Sequence, residues 1–376
     1  MILPLSFDDL KIPFLKNDIL SVDIGFTNIK VVHVRRKKGD AFKILNFGIG
    51  STPPDCIGNG VISNFEEIAG NLKRIINDNH INEKNVKIVI SAGSSIISKI
   101  LFIEKGAGQW LEDKIRKEVE LQIPLEIKAN KLFYRITGEV VRERAAYHKV
   151  LITVVPNTTM ENYIKLLKFL NFKPLSIEIP FSSVARFFCR GVVLVQKDKL
   201  SCEPVYTEIK QGTSAVVDLG SETTNLCILN NGALDFSRIL LTGGRNLDNI
   251  IANRLGVKRE VAERYKKMHG ITVANTIGNE IQYIVNECIR EYMGELLYNI
   301  KRSLEFYVNR CDGRKAERIL FIGGGSALKG LTQFTGEIVG VPAYTLGMLD
   351  FNRIEFGKNL DKDKLRYLVN ALGLAM

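Results

Sequence analysis

Two aspartates each stand two residues ahead of a glycine, in Asp23-Ile24-Gly25 and in Asp218-Leu219-Gly220. Hydroxyl and amide side chains follow both: Thr27 and Asn28 after the first, Ser221, Thr223 and Thr224 after the second. A carboxylate beside a hydroxyl-rich glycine turn suits one kind of chemistry, the gripping of a phosphorylated ligand. Carboxylate oxygens hold a hydrated Mg²⁺, a hard ion that keeps several of its waters. Turn N–H groups and hydroxyls donate to phosphate oxygens, and glycine lets the backbone approach without a Cβ in the way. Lys30 adds a cation just beyond the first turn. A third cluster, Gly323-Gly324-Gly325-Ser326, ends the apolar run Arg318 to Ile322 and precedes a helix predicted from Ala327. A helix N-terminus there favours an anion.

These groups act together only if rigid elements carry them to one place. The stretch from Val216 to Gly244 reads as strand, glycine turn, strand (Asn225 to Leu229), an Asn230-Asn231-Gly232 turn, a third strand, and the opening of a helix at Gly243-Gly244. Leu20 to Lys30 repeats the design. One Asp-Gly hairpin is ordinary turn chemistry. Two of them with a third glycine cluster point to two similar halves facing a common nucleotide.

With 376 residues the chain suits two domains or a lobed pair. Its 45% apolar and 25% charged content is that of a soluble globular protein. The formal charge of +11 points to an acidic partner or a membrane surface. Nucleic acid is not expected, because the basic residues are spread over many helices and not gathered into one arm. Six cysteines (Cys56, Cys189, Cys202, Cys227, Cys288, Cys311) are scattered without a Cys-x-x-Cys pair, and the four histidines (His33, His80, His148, His269) lack ligand spacing. Reduced thiols in a cytoplasm fit this better than a metal cage or a disulfide framework. No apolar run reaches the ~18 residues of a spanning helix, and the start lacks a signal-peptide layout. A cytoplasmic protein is expected, held at a membrane only through a partner.

Along the chain, residues 1–17 read as an apolar arm. Strands are predicted at 19–24, 29–35 and 41–49, with a basic turn at 35–40, and Ser63-Asn64-Phe65-Glu66 reads as a capping box opening a helix with Ile68, Leu72, Ile75 and Ile76 on one face. Val86 to Val155 reads as a small α/β insert: strands 86–91 and 96–103, a water-facing helix over about 109–121, and strands 131–137 and 147–155. A helix over 157–171, a strand over 175–179 and a helix from Pro180 follow. Residues 191–212 read as an irregular crossing to the second half. Helices are predicted over about 247–255, 259–268 and 277–310, the last interrupted at Gly294. Residues 365–376 read as a packing helix.

The ordered set of three glycine turns resembles the actin-like ATPase superfamily, which shares its nucleotide fold with sugar kinases. Within it the chain resembles the PilM family of type IV pilus assembly proteins, relatives of the division protein FtsA. The resemblance runs over nearly the whole chain from about Ile19. Its more specific pieces are VVDLGSETTNLCILNNGALDFSRILLTGG, residues 261–266, residues 299–307 and residues 322–331. The insert matches through VISAGSSIISKILFIEK and KEVELQIPLEI. It implies an α/β chain with the actin-like ATPase fold: two duplicated RNase H-like lobes around a nucleotide cleft, with an FtsA/PilM-type 1C insert. The implied division is an arm at 1–17, subdomain 1A at 18–85, 156–190 and 346–376, the 1C insert at 86–155, subdomain 2A at 191–257 and 314–345, and subdomain 2B at 258–313.

The cofactor implied is ATP or ADP with Mg²⁺. Asp23 and Asp218 would face the ion through water. Gly25, Thr27, Asn28 and Lys30 would meet the β- and γ-phosphates from one side, and Gly220, Ser221, Thr223 and Thr224 from the other. Gly243 and Gly244 would lie near ribose and phosphates, and Glu263 and Lys266 near ribose and adenine. Ser303, with Gly323, Gly324, Gly325 and Ser326, would close the adenosine pocket. Two departures from the family pattern matter. Phe26 stands where a serine or threonine is usual, and Pro180 near where an acidic residue is common, leaving Glu178 as the nearest candidate to orient an attacking water. Phosphoryl transfer needs that nucleophile held in line. ATP binding with slow or absent hydrolysis is therefore expected.

The resemblance also implies the cytoplasmic N-terminal tail of a PilN-like inner-membrane protein as partner, taken in a cleft between the insert and the first half. Pilus assembly platform and motor proteins, and a homo-oligomer, are further implied partners. Location would be peripheral, at the inner face of the inner membrane. Two other readings compete. An FtsA-like membrane-associated filament protein would form regular polymers with ATP. A small-molecule kinase would need a carboxylate base beside a substrate pocket.

Overall fold

The computed structural model describes residues 2–4, 18–37, 41–90, 93–106, 110–124, 126–190, 192–197, 204–271, 278–351, 354–356 and 360–376. The first half opens with β1 (Ile2–Pro4), β2 (Asp18–Ile24), β3 (Asn28–Arg36), β4 (Phe42–Ser51), β5 (Ile57–Gly58), β6 (Val61–Ile62), α1 (Phe65–Asp78) and β7 (Asn85–Val89). It continues with β8 (Ile97–Glu104), α2 (Leu111–Gln122), β9 (Asn130–Arg142), β10 (Ala145–Pro156), α3 (Asn157–Phe169), β11 (Lys173–Glu178) and α4 (Pro180–Cys189). After β12 (Val192–Lys197) and β13 (Pro204–Glu208) come β14 (Thr213–Leu219), β15 (Thr224–Asn230), β16 (Ala233–Leu240), α5 (Gly244–Leu255), α6 (Arg259–His269) and α7 (Glu280–Arg310). The chain ends with β17 (Arg318–Ile322), α8 (Leu331–Val339), β18 (Ala343–Thr345), β19 (Leu349–Phe351), β20 (Ile354–Glu355) and α9 (Lys362–Ala375).

The duplication predicted from the two hairpins is written in the sheets. The first lobe orders its strands β4-β3-β2-β7-β11, with β20 added beside β4, and the second orders them β16-β15-β14-β17-β18. In both, three antiparallel strands are followed by two parallel ones. Hairpins make the antiparallel part, and parallel neighbours require helical crossovers. α1 carries the chain from β4 to β7, and α5, α6 and α7 carry it from β16 to β17. β2 and β14 are buried from end to end except at their margins and at Asp218, which is partly exposed. α9 caps the first lobe through Leu365, Leu368, Val369 and Leu372, all buried at helical spacing. Its last carbonyls are satisfied by Arg186, which donates to Gly373 O at 2.9 Å, and by Lys87, which donates to Leu374 O at 3.1 Å.

The insert forms its own sheet, ordered β1-β9-β10-β8, with α2 packed on it through Ile115 and Val119. Its core of Leu101, Ile103, Leu132, Val150 and Ile152 is separate from the cores of the two lobes. The predicted strand at 86–91 is not part of it: β7 pairs with β2 and β11 in the first lobe, so the insert sheet starts at β8.

Several expectations are corrected. The crossing 191–212 contains a hairpin, β12 with β13, which joins β19 in a three-stranded sheet. α7 runs unbroken past Gly294, because packing of its apolar face outweighs the ~1 kcal/mol that a mid-helix glycine costs. The cap of α1 is Asn64, whose side chain accepts from Glu67 N, one residue later than the box predicted from Ser63. From the glycine cluster the chain makes a 3₁₀ turn at Gly324–Ala327, and the α-helix begins only at Leu331. Of the arm, only Ile2–Pro4 is described; its remainder, Cys202, part of the crossing and the tip of the basic turn lie outside the described residues.

Candidate functional site

β2 and β14 hold equivalent places in their lobes, and in each the aspartate is the last residue but one. The strand partner of Asp23 is Lys30, and that of Asp218 is Asn225. Both aspartates line a cavity of about 520 Å³ between the lobes. Gly25, Thr27, Asn28 and Lys30 line it from the first hairpin, and Gly220, Ser221, Thr223 and Thr224 from the second. Gly243 and Gly244 at the start of α5, Glu263 and Lys266 on α6, and Gly323, Gly324 and Gly325 after β17 complete the predicted set that meets there. Phe26 lines the cavity too, a side chain with no hydroxyl to offer.

Lys30 Nζ donates to Asp23 Oδ2 at 3.0 Å, both side chains being mostly buried. Asp218 stands in a different setting. Burial pushes its carboxyl up to about 6 and the Asp23 charge adds to that, while Lys30 and the hydrogen bond from Asn370 Nδ2 (3.1 Å) pull it down. Lys266 bridges Asp248 at 2.6 Å and donates to Gly244 O at 3.2 Å. Burial raises Asp248 despite that lysine. Burial would also raise Glu263, but its 2.6 Å pair with Lys267, with Lys266 and Arg259 nearby, leaves it below the usual carboxylate range.

The turns spend part of their hydrogen-bonding capacity on their own shape. Gly25 N–H donates to Asn28 O at 2.9 Å, and Gly220 N–H to Thr223 O at 3.0 Å. Thr52 Oγ1 braces the first turn by donating to Gly25 O. The Thr224 hydroxyl donates to Thr242 O at 2.8 Å, so its proton is engaged away from any anion. The Gly243-Gly244 pair lets α5 dock on the second hairpin: Gly244 N–H donates to Gly220 O and Arg245 N–H to Ser221 O. A Cβ on Gly243 would stand 2.4 Å from Ser221 O, closer than side chains tolerate.

Three predicted residues are not brought to the cavity. Glu178 turns to Arg186, pairing at 2.6 Å, and accepts from Ser176 at 3.1 Å. Pro180 lines the cavity in its neighbourhood. Ser303 is fully buried within α7, donating to Asn299 O and accepting from Arg238 at 3.2 Å. Ser326 is buried as well, and its hydroxyl closes the glycine turn on Gly323 O at 2.8 Å. Other lining residues lie outside the motifs: Arg366, Tyr367, Val369 and Asn370 on α9, and Tyr292, Met293 and Leu296 on α7. α9 is thus more than packing. In the sequence Arg366, Tyr367 and Asn370 mark a polar stripe at helical spacing, which does not say what that stripe meets. Away from the cavity, Asp18, His33 and Glu83 bring ligand atoms within 4.8 Å of one another, but Arg35 grips both Asp18 oxygens at 2.6 Å and supplies the charge a cation would bring.

A family profile described as type IV pilus assembly protein PilM matches residues 21–376. The chain belongs to the PilM family. Among solved structures, it is similar to a PilM-PilN type IV pilus biogenesis complex, with 20% identity over 95% of this chain and 97% of that chain and a TM-score of 0.74. The ethanolamine utilization protein EutJ of Carboxydothermus hydrogenoformans matches with 13% identity over 96% and 90% of the two chains and a TM-score of 0.52. MreB 5 of Spiroplasma citri, solved bound to AMPPNP, matches with 13% identity over 88% and 92% and a TM-score of 0.50. The fold of this PilM-family chain is the actin-like ATPase fold, and the cavity lies between its duplicated lobes. Among the described residues no helix is long and apolar enough to cross a membrane.

Proposed function

We propose that this pilus assembly protein is a scaffold clamped by ATP or ADP with Mg²⁺, and that it receives the cytoplasmic tail of a PilN-like inner-membrane protein. The observation that carries the nucleotide reading is the meeting of Asp23, Asp218 and three glycine turns in one cavity between the lobes. The residues fit a hydrated magnesium ion. Two carboxylates offer hard oxygens, and Asn225, buried in the cavity wall, has an amide oxygen without a hydrogen-bond partner among the described residues. Bound there, the ion would neutralise phosphate charge. Asp23 and Asp218 would hold it, Lys30 would stand beside the phosphates, and the hydroxyls of Thr27 and Ser221 would donate to them. A Cβ on Gly323 would stand 2.2 Å from Asp218 Oδ1 and one on Gly325 2.6 Å from Leu219 Cβ, so these glycines let the third turn close against the strand end that carries Asp218.

Slow or absent hydrolysis is supported by Glu178, whose carboxylate is held by Arg186, and by Pro180 at the cavity wall. With Glu178 held away from the cavity, ligand binding energy goes into holding the lobes together, stabilising the closed arrangement by mass action. The tail-binding part is supported by family membership and by the likeness to a PilM-PilN complex. The test is to denature freshly purified protein and identify any released nucleotide. Magnesium-dependent ATP or ADP uptake by calorimetry is expected for the native chain and lost in Asp23→Ala/Asp218→Ala. Unchanged thermal stability with nucleotide in that double variant, and no uptake by the native chain, would overturn the reading.

A further inference from the structure

We propose that the outer edge of β9 is a docking track for an extended peptide, and that this chain's own Ile2–Pro4 is its resident occupant in cis. The inference rests on the tail-binding reading and gives it a place and a competitor.

β10 pairs with β9 along its whole length, from Asn130 to Arg142, so only the outer edge of β9 is open to another strand. β1 takes three positions of it in parallel, Ile2 opposite Leu132, Leu3 opposite Phe133 and Pro4 opposite Tyr134. Those three β9 residues are fixed from behind. Leu132 is buried in the insert core and Tyr134 packs against it, while Phe133 packs against the core of the first lobe. The covered stretch therefore lies where the insert meets the first lobe, on a backbone that its side chains hold rigid. Farther along, the β9–β10 register shifts between Lys149 and Val150, and the strand carries Arg135, Glu139 and Arg142. Bulges and charges are the usual protection of an edge against strand addition. The unprotected stretch is the one that β1 covers.

The occupant is built to leave. Three residues make few ladder bonds, parallel pairing is weaker per residue than antiparallel, and Pro4 has no N–H to give. Strand addition at such an edge draws affinity from main-chain hydrogen bonds and selectivity from the flanking apolar surfaces. The competitor it fits is an extended tail with apolar residues, not a helix. Because the resident is tethered, its effective concentration is high, and an incoming peptide binds more weakly by the fraction of time the edge is free.

The experiment uses a fluorescent peptide of residues 1–8 (MILPLSFD) and follows anisotropy with the full chain and with a variant lacking residues 1–8. Binding to the truncated chain at least about tenfold tighter than to the full chain is expected. Equal binding to both, or no binding to a truncated chain whose circular dichroism is native, overturns the proposal. A second variant, Leu3→Cys/Phe133→Cys in the full chain, joins Cα partners and should cross-link as a monomer, abolish peptide binding when oxidised and restore it on reduction. A cross-linked dimer would assign the strand to a second copy and overturn the cis occupant. The tail of the membrane partner is then run as competitor. Equal affinity for full and truncated chains overturns this proposal and leaves tail binding standing, whereas no binding to either form overturns the tail reading itself.

Discussion

The insert is tied to the second lobe by a buried ion pair, and breaking it should leave a recognisable signature. Lys149 on β10 and Asp235 on β16 lie 2.9 Å apart with side chains about 5% exposed, and Tyr307 on α7 donates to the same Asp235 oxygen at 2.5 Å. Burial, with the hydrogen bond and charge of Asp235, pushes the Tyr307 hydroxyl far up, so it stays a donor. The other Asp235 oxygen has no hydrogen-bond partner among the described residues. Lys149→Met keeps the stem and removes the cation, leaving a buried carboxylate with one phenol for company. Removing one partner of a buried pair costs about 3–5 kcal/mol. Urea unfolding read by circular dichroism, with Trp110 as the sole tryptophan and a reporter in the insert, measures it. Lys149→Met/Asp235→Asn should recover most of the loss, since no charge is then stranded. A single variant as stable as the native chain, or a double variant no better than the single, would refute the argument.

The other expectations concern the cavity. Because Asp218 is pushed up to about 6, magnesium-dependent nucleotide affinity should fall by about fourfold between pH 7.5 and 5.5 in calorimetry, and Asp218→Asn should be weak and flat with pH. In the ligand-free chain the same group acts oppositely, favouring the fold below the ordinary aspartate pKa, with that contribution lost as pH rises through 6. Gly323→Ala should lower both thermal stability and nucleotide uptake: φ is +78°, and the new Cβ would stand 2.2 Å from Asp218 Oδ1. Glu178→Gln should leave binding and any residual hydrolysis unchanged while lowering the thermal midpoint, because it weakens the pair with Arg186. Lost hydrolysis at native stability would restore a catalytic role.

What the sequence by itself determined is what lies close along the chain. Asp23 meets Lys30 across one hairpin, and Asp218 faces Asn225 across another. Alternation, turn residues and Asp-Gly spacing decide such pairings within about ten residues, so the duplicated hairpins and most cavity residues were readable. Glu178 was misplaced for a different reason. Its position at the end of β11 was predicted, but its direction depends on Arg186, nearly two helical turns into α4. Tertiary structure alone decided that Asn370, 152 residues away, donates to Asp218, and that α9 forms part of the cavity wall. It also decided that Lys149 of the insert is neutralised by Asp235 of the far lobe, and that Ile2–Pro4 lies along β9. A hairpin carries its partner within its own span, whereas a helix face or a sheet edge names no partner until the whole chain has packed and left it a neighbour.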